Sequence, residues 1–140
     1  RFQTLNSEAT RLWENVNPDL LRAAGYSPEF FPRVNVYESE KECKVVMEIP
    51  GIEEKNLEIT LQESLLIVKG TRKEPIGDIF NPIRMESEFG NFVRTIQLPM
   101  KVDQEKVVAQ YKNGLLFVHL PKSQETLANT RKIEITSKTH

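Results

Sequence analysis

The sequence predicts an all-β fold, an antiparallel β-sandwich that occupies residues 33–122. Three observations indicate this fold. Apolar and polar side chains alternate in short runs, so the period is two rather than 3.6. Proline and glycine residues punctuate those runs at short intervals. No alternation of strands with helices appears, which argues against a nucleotide-binding α/β sheet.

The strands can be placed one by one from the alternation and from the turn residues that follow it. Val45, Met47 and Ile49 share one face of a strand that Pro50-Gly51 ends, because proline has no donor for the ladder. Further strands are predicted at residues 57–62, 65–68 and 92–98. The run 65–68 is apolar at every position, which predicts a strand covered on both faces. Pro75, Gly77 and Pro82 mark residues 72–82 as a loop.

The clearest local signal is a β-hairpin near the end of the domain. Two alternating runs, residues 107–112 and 115–120, flank Asn113-Gly114. Asparagine followed by glycine readily takes the positive backbone angles of a type I′ turn, and this turn joins antiparallel strands tightly. The sequence therefore predicts a two-residue turn at this position.

The pattern of apolar and polar residues changes outside the predicted domain. Residues 1–32 are predicted to be a partly helical N-terminal arm, because apolar residues recur there at three- and four-residue steps until Asn17-Pro18 interrupts them. This apolar stripe contains Phe2, Leu5, Ala9, Leu12, Trp13 and Val16. It fits either a surface helix that closes the domain's own core or an amphipathic arm for assembly or client contact. Residues 123–140 are predicted to be an extended polar tail with one apolar pair, Ile133 and Ile135.

Composition narrows the classes of function. The chain has 140 residues and a formal net charge of −1, from 19 basic and 20 acidic side chains, so it offers no concentrated basic face for nucleic acid. It has no run of eighteen apolar residues that could span a bilayer. Cys43 is the only cysteine, which excludes an intrachain disulfide and fits a reducing compartment such as the cytoplasm.

Few residues are candidates for catalysis. His119 lies late in a strand and His140 is the last residue, so neither a metal site nor a catalytic triad is predicted. Cys43 has no neighbouring motif that would activate a thiolate and is interpreted as a small strand residue. Glu53-Glu54 fits a solvated loop better than an acid–base pair. Because no phosphate-binding or dinucleotide motif appears either, the sequence predicts no cofactor and no enzyme activity.

Five segments of the predicted domain share their pattern with a known family. They are residues 32–38 (PRVNVYE), 49–59 (IPGIEEKNLEI), 66–72 (LIVKGTR), 89–99 (FGNFVRTIQLP) and 109–116 (AQYKNGLL). In this order and at these separations they resemble the α-crystallin domain of the small heat-shock proteins, in its bacterial and plant branch. The last segment is similar to the family's signature A-x-x-x-N-G-V-L, with Leu115 in place of valine. The resemblance covers about two-thirds of the chain and implies an immunoglobulin-like sandwich.

The resemblance implies a role for the tail. In this family an I-x-I motif docks into a hydrophobic groove at the sandwich edge of a neighbouring subunit, and Ile133-Glu134-Ile135 falls where the family carries that motif. The groove residues implied here are Leu57, Ile59, Leu61 and Val107. Taken without the resemblance, Ile133 and Ile135 also fit a last strand of their own domain.

The resemblance also implies a dimer interface. Residues 79–88 lie where bacterial and plant relatives keep a strand exchanged between protomers, although the tyrosine-containing charged run of those relatives is missing here. Metazoan relatives instead dimerise through one long strand, which the prolines and glycine of the 72–82 loop would break. The implied interface residues are Ile83, Met85 and Arg94. The alternative for Arg94 is a surface arginine with a minor ion pair.

The implied function is that of an ATP-independent holdase chaperone that assembles into oligomers of dimers. Its partners would be copies of itself and unfolding client proteins, without nucleic acid or a membrane span. The client-binding residues implied in the arm are Phe2, Leu5, Leu12, Trp13, Phe30 and Phe31. Three alternatives stay open: a monomeric co-chaperone of the CS-domain type, an immunoglobulin-like adhesion module, and an enzyme on a sandwich scaffold. The I-x-I motif and the Asn113-Gly114 signature argue against the first, and the missing cysteine pair argues against the second.

Overall fold

The computed structural model describes residues 18–27 and 32–125. Within them lie the helix α1 (Pro18–Ala23) and seven β-strands: β1 (Val34–Glu38), β2 (Glu42–Glu48), β3 (Leu57–Gln62), β4 (Leu65–Arg72), β5 (Gly90–Gln97), β6 (Val108–Lys112) and β7 (Leu115–Pro121). The last two described residues, 124 and 125, are also helical. Single-turn 3-10 helices at Glu54–Asn56 and Gln104–Lys106 precede β3 and β6. The strands form a four-stranded sheet in the order β1-β2-β7-β6 and a three-stranded sheet in the order β3-β4-β5. Every pair is antiparallel, so the predicted all-β fold class is confirmed.

The core lies between the two sheets and follows the period of two. Val45 and Met47 of β2 point inward, as predicted, and Ile49 continues their face beyond the end of the strand. The buried apolar set is Cys43, Val45, Met47, Ile49, Ile52, Leu66, Val68, Phe92, Ile96, Leu98, Val102, Leu116, Val118 and Leu120. It draws on both sheets, which shows that their inner faces pack against one another.

Strand β4 differs from its prediction on one face. Leu66 and Val68 are completely buried, but Leu65 and Ile67 are only half-buried. Leu65 and Ile67 lie on the outer face of the three-stranded sheet, where the side chains of β3 and β5 flank them without covering them. An apolar run in the central strand of a small antiparallel sheet therefore does not require a second covering layer.

Two turn motifs of the sequence meet in space. Asn113 and Gly114 have φ angles of 54° and 79°, which confirms the predicted turn. The N–H of Ile49 donates to the carbonyl oxygen of Gly114 across 2.9 Å. A Cβ atom added to Gly114 would lie 3.1 Å from Cβ of Pro50, so the β6–β7 turn packs directly against the Pro50-Gly51 turn.

Helix α1 begins at Pro18, the residue at which the sequence predicts an interruption of the preceding stripe. Proline is tolerated in the first turn of a helix, because the N–H that it lacks would have no partner there. The helix ends at Ala23 and is followed by Gly25, whose φ is 93°. The N–H of Tyr26 donates to the carbonyl oxygen of Leu21 across 2.8 Å and closes this turn. Residues 1–17, with the predicted apolar stripe, lie outside the described part of the chain.

Candidate functional site

The candidate site is the predicted apolar groove, whose residues belong to β3 and to the start of the β6 edge. Arg94 of β5 donates a hydrogen bond to the carbonyl oxygen of Pro32, two residues before β1 begins. This bond places the β5 edge of one sheet beside the β1 edge of the other. The remaining edges, β3 and β6, therefore lie together on the opposite side of the sandwich.

One wall of the groove is the inner face of β3. Leu57, Ile59 and Leu61 occupy alternate positions there and are each half-buried against the core. Their Cα partners on β4 are Gly70, Val68 and Leu66, which continue the same face into the interior. The three predicted groove residues on this strand therefore share one apolar surface that is still partly open to solvent.

The other wall comes from β6 and the residue before it. Val107 and Tyr111 are half-buried against the core, while Ala109 between them is exposed. The Cα partner of Ala109 is the fully buried Val118, so Ala109 lies on the inner face of its sheet. Because the side chain of Ala109 is only a methyl group, it leaves space in the middle of this wall.

The backbone at the two edges is suited to accept another strand. Within the described residues, β3 pairs only with β4, and β6 pairs only with β7. Each of these strands therefore presents a row of ladder groups on its outer side, the kind of edge to which an extended peptide can add. An added peptide with two apolar side chains at positions i and i+2 would direct both of them to the same face.

The base of the tail leaves the domain beside the segment that leads into β6. Lys122 forms an isolated antiparallel bridge with Val102. The N–H of Ser123 donates to the carbonyl oxygen of Lys101 across 3.0 Å, and Lys101 Nζ lies 3.3 Å from Glu125 Oε1. These contacts fix where the tail begins, whereas Ile133 and Ile135 lie outside the described residues.

The predicted dimer segment is an exposed loop. Residues 73–88 are exposed throughout, and no strand interrupts them. Ile83 is fully exposed and Met85 is about half exposed, at 53%. Other large apolar side chains with exposed surface on this loop are Ile76, Ile79 and Phe80. Such a dense set of exposed apolar side chains is typical of an interaction surface.

Unlike Ile83 and Met85, Arg94 is only 5% exposed. It shares the inner face of β5 with Phe92 and Ile96, and its Cα partner on β4 is Val68. In that position its guanidinium bonds the carbonyl oxygen of Pro32 within the same chain. The structure thus gives Arg94 a contact inside the subunit, and its role at an interface stays a prediction.

The residues considered for catalysis are placed as follows. His119 Nδ1 lies 4.0 Å from Glu42 Oε1 on the outer face of the four-stranded sheet. Glu53 pairs with Lys55 at 3.4 Å, with both side chains largely exposed. Burial raises the pKa of the Cys43 thiol to about 11, and the Glu38 carboxylate adds to the shift. Such a thiol stays protonated and unreactive near neutral pH.

The motif-based reasoning did not include Tyr111 or Ala109 among the groove residues. Both can be found from the sequence, since counting in steps of two from Val107 places them on the same face. The predicted client-binding residues Phe2, Leu5, Leu12, Trp13, Phe30 and Phe31 all lie outside the described residues. Among the described residues, no helix is both long enough and apolar enough to cross a bilayer.

Comparison with known proteins identifies the family of this sandwich. The model of the Hsp20/alpha crystallin family matches residues 35–136. A probable 15 kDa heat shock protein from Leptospira interrogans is 37% identical over 108 residues, which are 76% of this chain and 78% of that protein. Small heat shock protein C4 from Rickettsia felis is 31% identical over 103 residues, 73% of this chain and 63% of the relative. The chain thus spans slightly less than two-thirds of the latter protein.

Solved structures agree with this assignment. Heat shock protein 16.0 from Schizosaccharomyces pombe superposes with a TM-score of 0.65 at 28% identity, over 78% of this chain and 99% of that one. A small heat-shock protein from Xylella fastidiosa, whose structure is described as a distinct high order structure, superposes with a TM-score of 0.60 at 27% identity, over 77% of this chain and 98% of that one. From its sequence match and its fold together, this chain belongs to the Hsp20/alpha crystallin family of small heat-shock proteins.

Proposed function

We propose that this protein is an ATP-independent holdase chaperone of the cytoplasm that binds unfolding proteins and assembles into oligomers of dimers. The observation that carries the proposal is the groove between β3 and β6. Its apolar side chains, Leu57, Ile59, Leu61 and Val107, are partly open to solvent and lie between two edges with free ladder positions. Membership in the small heat-shock protein family supports a chaperone role.

The proposed occupant of the groove is the I-x-I motif of a neighbouring subunit. In an extended segment Ile133 and Ile135 point to the same side, while Glu134 between them points away. Burying two isoleucine side chains contributes about 3 to 6 kcal/mol before the costs of ordering the tail. A single docked tail is therefore held weakly, and many tails in one assembly hold it together through high effective concentration.

The length of the tail is compatible with docking on another subunit. Ser123 and Glu125 contact Lys101 of the domain, so seven residues, 126–132, separate the last described contact from Ile133. At about 3.3 Å per residue, this stretch can span roughly 23 Å. Release of such a tail would uncover the groove of one subunit without unfolding any strand, which is the reversible step that subunit exchange requires.

The proposed dimer uses the exposed loop and the β1 edge. Within the described residues β1 pairs only with β2, so its outer side can accept a strand from a partner. We place residues 79–88 of the partner subunit on that edge, with Ile83 and Met85 buried in the contact. This arrangement would remove the fully exposed Ile83 and the half-exposed Met85 from solvent.

The proposed client-binding surface is the N-terminal arm. Its aromatic and aliphatic residues, Phe2, Leu5, Leu12, Trp13, Phe30 and Phe31, offer apolar area without chemistry that would discriminate between sequences. Unfolding clients expose apolar side chains in the same unspecific way, and mutual burial is driven by the hydrophobic effect alone. Binding of this kind needs no nucleotide.

The assembly can be tested with a matched pair of tail variants. Light scattering should give a large particle for the parent and dimers for the Ile133→Ala/Ile135→Ala variant. Glu134→Ala is the control, because its side chain points away from the groove, and it should keep the parent mass. An unchanged mass in the double variant would contradict tail docking, and a monomeric parent would favour the CS-type co-chaperone.

The activity requires a separate measurement. A substoichiometric amount of the parent should suppress light scattering from a heat- or reductant-denatured client in a buffer without ATP. Added ATP should leave the extent of suppression unchanged, since no phosphate-binding loop is present in the sequence. If the parent assembles as expected but never suppresses aggregation, the holdase proposal is wrong even though the family assignment stands.

A further inference from the structure

The arm is attached to the domain at two points on one strand. Ser27 and Gly25 bond to Asn91 near the start of β5, and Pro32 bonds to Arg94 three residues further along. The chain between Ser27 and Pro32 therefore has both of its ends on β5. These two attachments differ in burial and in the face of the sheet on which they lie.

The attachment at Asn91 consists of connected hydrogen bonds. The N–H of Ser27 donates to the carbonyl oxygen of Asn91 across 2.6 Å, and Asn91 Nδ2 donates to the carbonyl oxygen of Gly25 across 2.7 Å. Thr71 Oγ1 donates to Asn91 Oδ1 across 2.6 Å. Because the hydroxyl of Thr71 holds the oxygen end of the amide, the NH₂ end is directed at Gly25.

Gly90 makes this close approach possible. Its φ is 123°, a conformation that few residues other than glycine adopt. A Cβ atom on Gly90 would collide with the hydroxyl of Ser27. Glycine at position 90 thus allows the segment that follows α1 to lie against the start of β5.

The two attachments have unequal access to water. Asn91 and Gly25 are exposed, whereas Arg94 is buried on the inner face of the sheet. An open cleft of about 450 Å³ also lies between residues 24–26 and the ends of β3 and β4, so water reaches this segment. The contacts at Asn91 can therefore open without disturbing the core, whereas the contact at Arg94 cannot.

We propose that Asn91 is a releasable latch for the N-terminal arm and that Arg94 is the fixed pivot. Opening the latch frees residues 25–27 from β5, so that Pro32 becomes the first point at which the arm is held. The arm then moves more freely and reaches clients more readily. That last consequence rests on the proposed function, whereas the latch itself is a property of the chain.

The test compares substitutions at equivalent amides on β5. Asn91→Ala removes the side-chain donor, and Asn91→Asp replaces it with an acceptor of the same size. Gln97→Ala is the control, because Gln97 is an exposed amide on the same strand whose Nε2 donates to the carbonyl oxygen of Ser64. Hydrogen exchange of residues 18–27 reports the latch directly, and Trp13, the single tryptophan of the chain, reports the mobility of the arm through fluorescence anisotropy.

Both Asn91 variants should exchange hydrogen at residues 18–27 about fivefold to tenfold faster than the parent, the effect of losing one hydrogen bond. The anisotropy of Trp13 should fall, while the unfolding midpoint of the domain should match that of Gln97→Ala. Unchanged exchange in both Asn91 variants would overturn the latch. So would an equal acceleration in Gln97→Ala, which would indicate a general loosening of the strand.

Failure of the proposed function can be told apart from failure of the latch by comparing aggregation suppression with hydrogen exchange. If the parent suppresses no aggregation but Asn91→Ala accelerates exchange, the latch exists and the chaperone proposal is wrong. If the parent suppresses aggregation and the Asn91 variants do so at a lower ratio of chaperone to client, the latch limits client binding. Equal suppression by the parent and by an open-latch variant would overturn the regulatory role.

Discussion

The hydroxyl of Tyr111 donates a hydrogen bond to the carbonyl oxygen of Ile49 across 2.8 Å. This bond ties the edge strand β6 to the end of β2, two strands away in the same sheet. The bond helps to fix one wall of the groove in place, because Tyr111 lies on the same face as Val107 and Ala109. The position of this wall therefore depends on a side chain that belongs to the hairpin signature of the sequence.

Replacing Tyr111 with phenylalanine should destabilise the domain by about 1 kcal/mol, since it leaves the carbonyl oxygen of Ile49 without this donor. Urea unfolding measures the change. Tyr37→Phe is the matched control, because its hydroxyl only accepts a bond from exposed Asn35, and it should change stability by less than about 0.5 kcal/mol. Equal effects of the two substitutions would contradict a supporting role for Tyr111.

Gly114→Ala should destabilise the domain by about 1 to 2 kcal/mol. Its φ of 79° is strained for alanine, and the added Cβ would lie 3.1 Å from Pro50. Gly77→Ala is the control, since no atom lies within 4 Å of the Cβ position and φ there is ordinary. It should be neutral or slightly stabilising in the same thermal melt. A neutral Gly114→Ala would show that the two turns do not pack as described.

Cys43 should make stability fall at alkaline pH. Burial, with help from Glu38, raises the pKa of its thiol from 9.0 to about 11 in the folded chain. Between these values the unfolded chain releases the thiol proton and the folded chain keeps it, so unfolding is favoured as pH rises. Below pH 9 both states are protonated, and the contribution of Cys43 does not change with pH.

The measurement compares urea unfolding of the parent and of Cys43→Ala between pH 8 and pH 11. The cavity left by alanine lowers stability by the same amount at every pH, so only the difference in slope reports the thiol. The parent should lose up to about 1.4 kcal/mol per pH unit relative to the variant in the upper part of this range. Parallel curves would show that the thiol titrates equally in both states.

Arg94→Met should lower the free energy of unfolding by about 2 to 3 kcal/mol, because the carbonyl oxygen of Pro32 loses a charge-assisted bond inside the protein. Arg94→Lys should recover part of the loss, since it keeps the charge but not the planar fork of donors. The predicted interface role of Arg94 should in addition make the dimer of these variants dissociate at temperatures where the subunit stays folded. A dimer that persists there would limit Arg94 to its contact inside the subunit.

Ile83→Glu should weaken the dimer, because it would bury a carboxylate in an apolar contact. Sedimentation at decreasing concentration should show monomers of this variant at concentrations where the parent is dimeric. Ile76→Glu is the control on the same loop, as Ile76 is also exposed but lies before the proposed exchanged strand. Dimers of equal strength in both variants would argue against the exchanged strand.

The strands could be predicted from the sequence because local signals specify them. Val45, Met47 and Ile49 alternate with polar residues, and each is buried on one face. Asn113 and Gly114 adopt the positive φ angles that their residue types favour. Burial, turn chemistry and strand propensity agree at these positions, and such agreement makes local patterns informative.

The remaining features depend on contacts between distant parts of the chain. The residue type of Arg94 predicts neither its burial nor its bond to Pro32, since a charged residue in a strand is usually exposed. Only its spacing of two residues from Phe92 and from Ile96 indicates that it lies on the inner face of β5. The bonds of Asn91 to Gly25 and Ser27 leave no local pattern, because asparagine near a glycine fits any turn equally well. The site residues on the arm and the tail stay predictions.

The attachments of the two flanking segments have different mechanical consequences. The tail continues from β7, which lies between β2 and β6 and is bonded on both sides. Tension applied to the tail would act along β7, so the hydrogen bonds on both sides of this strand would share the force. The arm continues into β1, an edge strand bonded only to β2 within the described residues. Tension on a tail is therefore shared by two ladders, whereas tension on the arm is borne by one ladder and by the bond between Arg94 and Pro32.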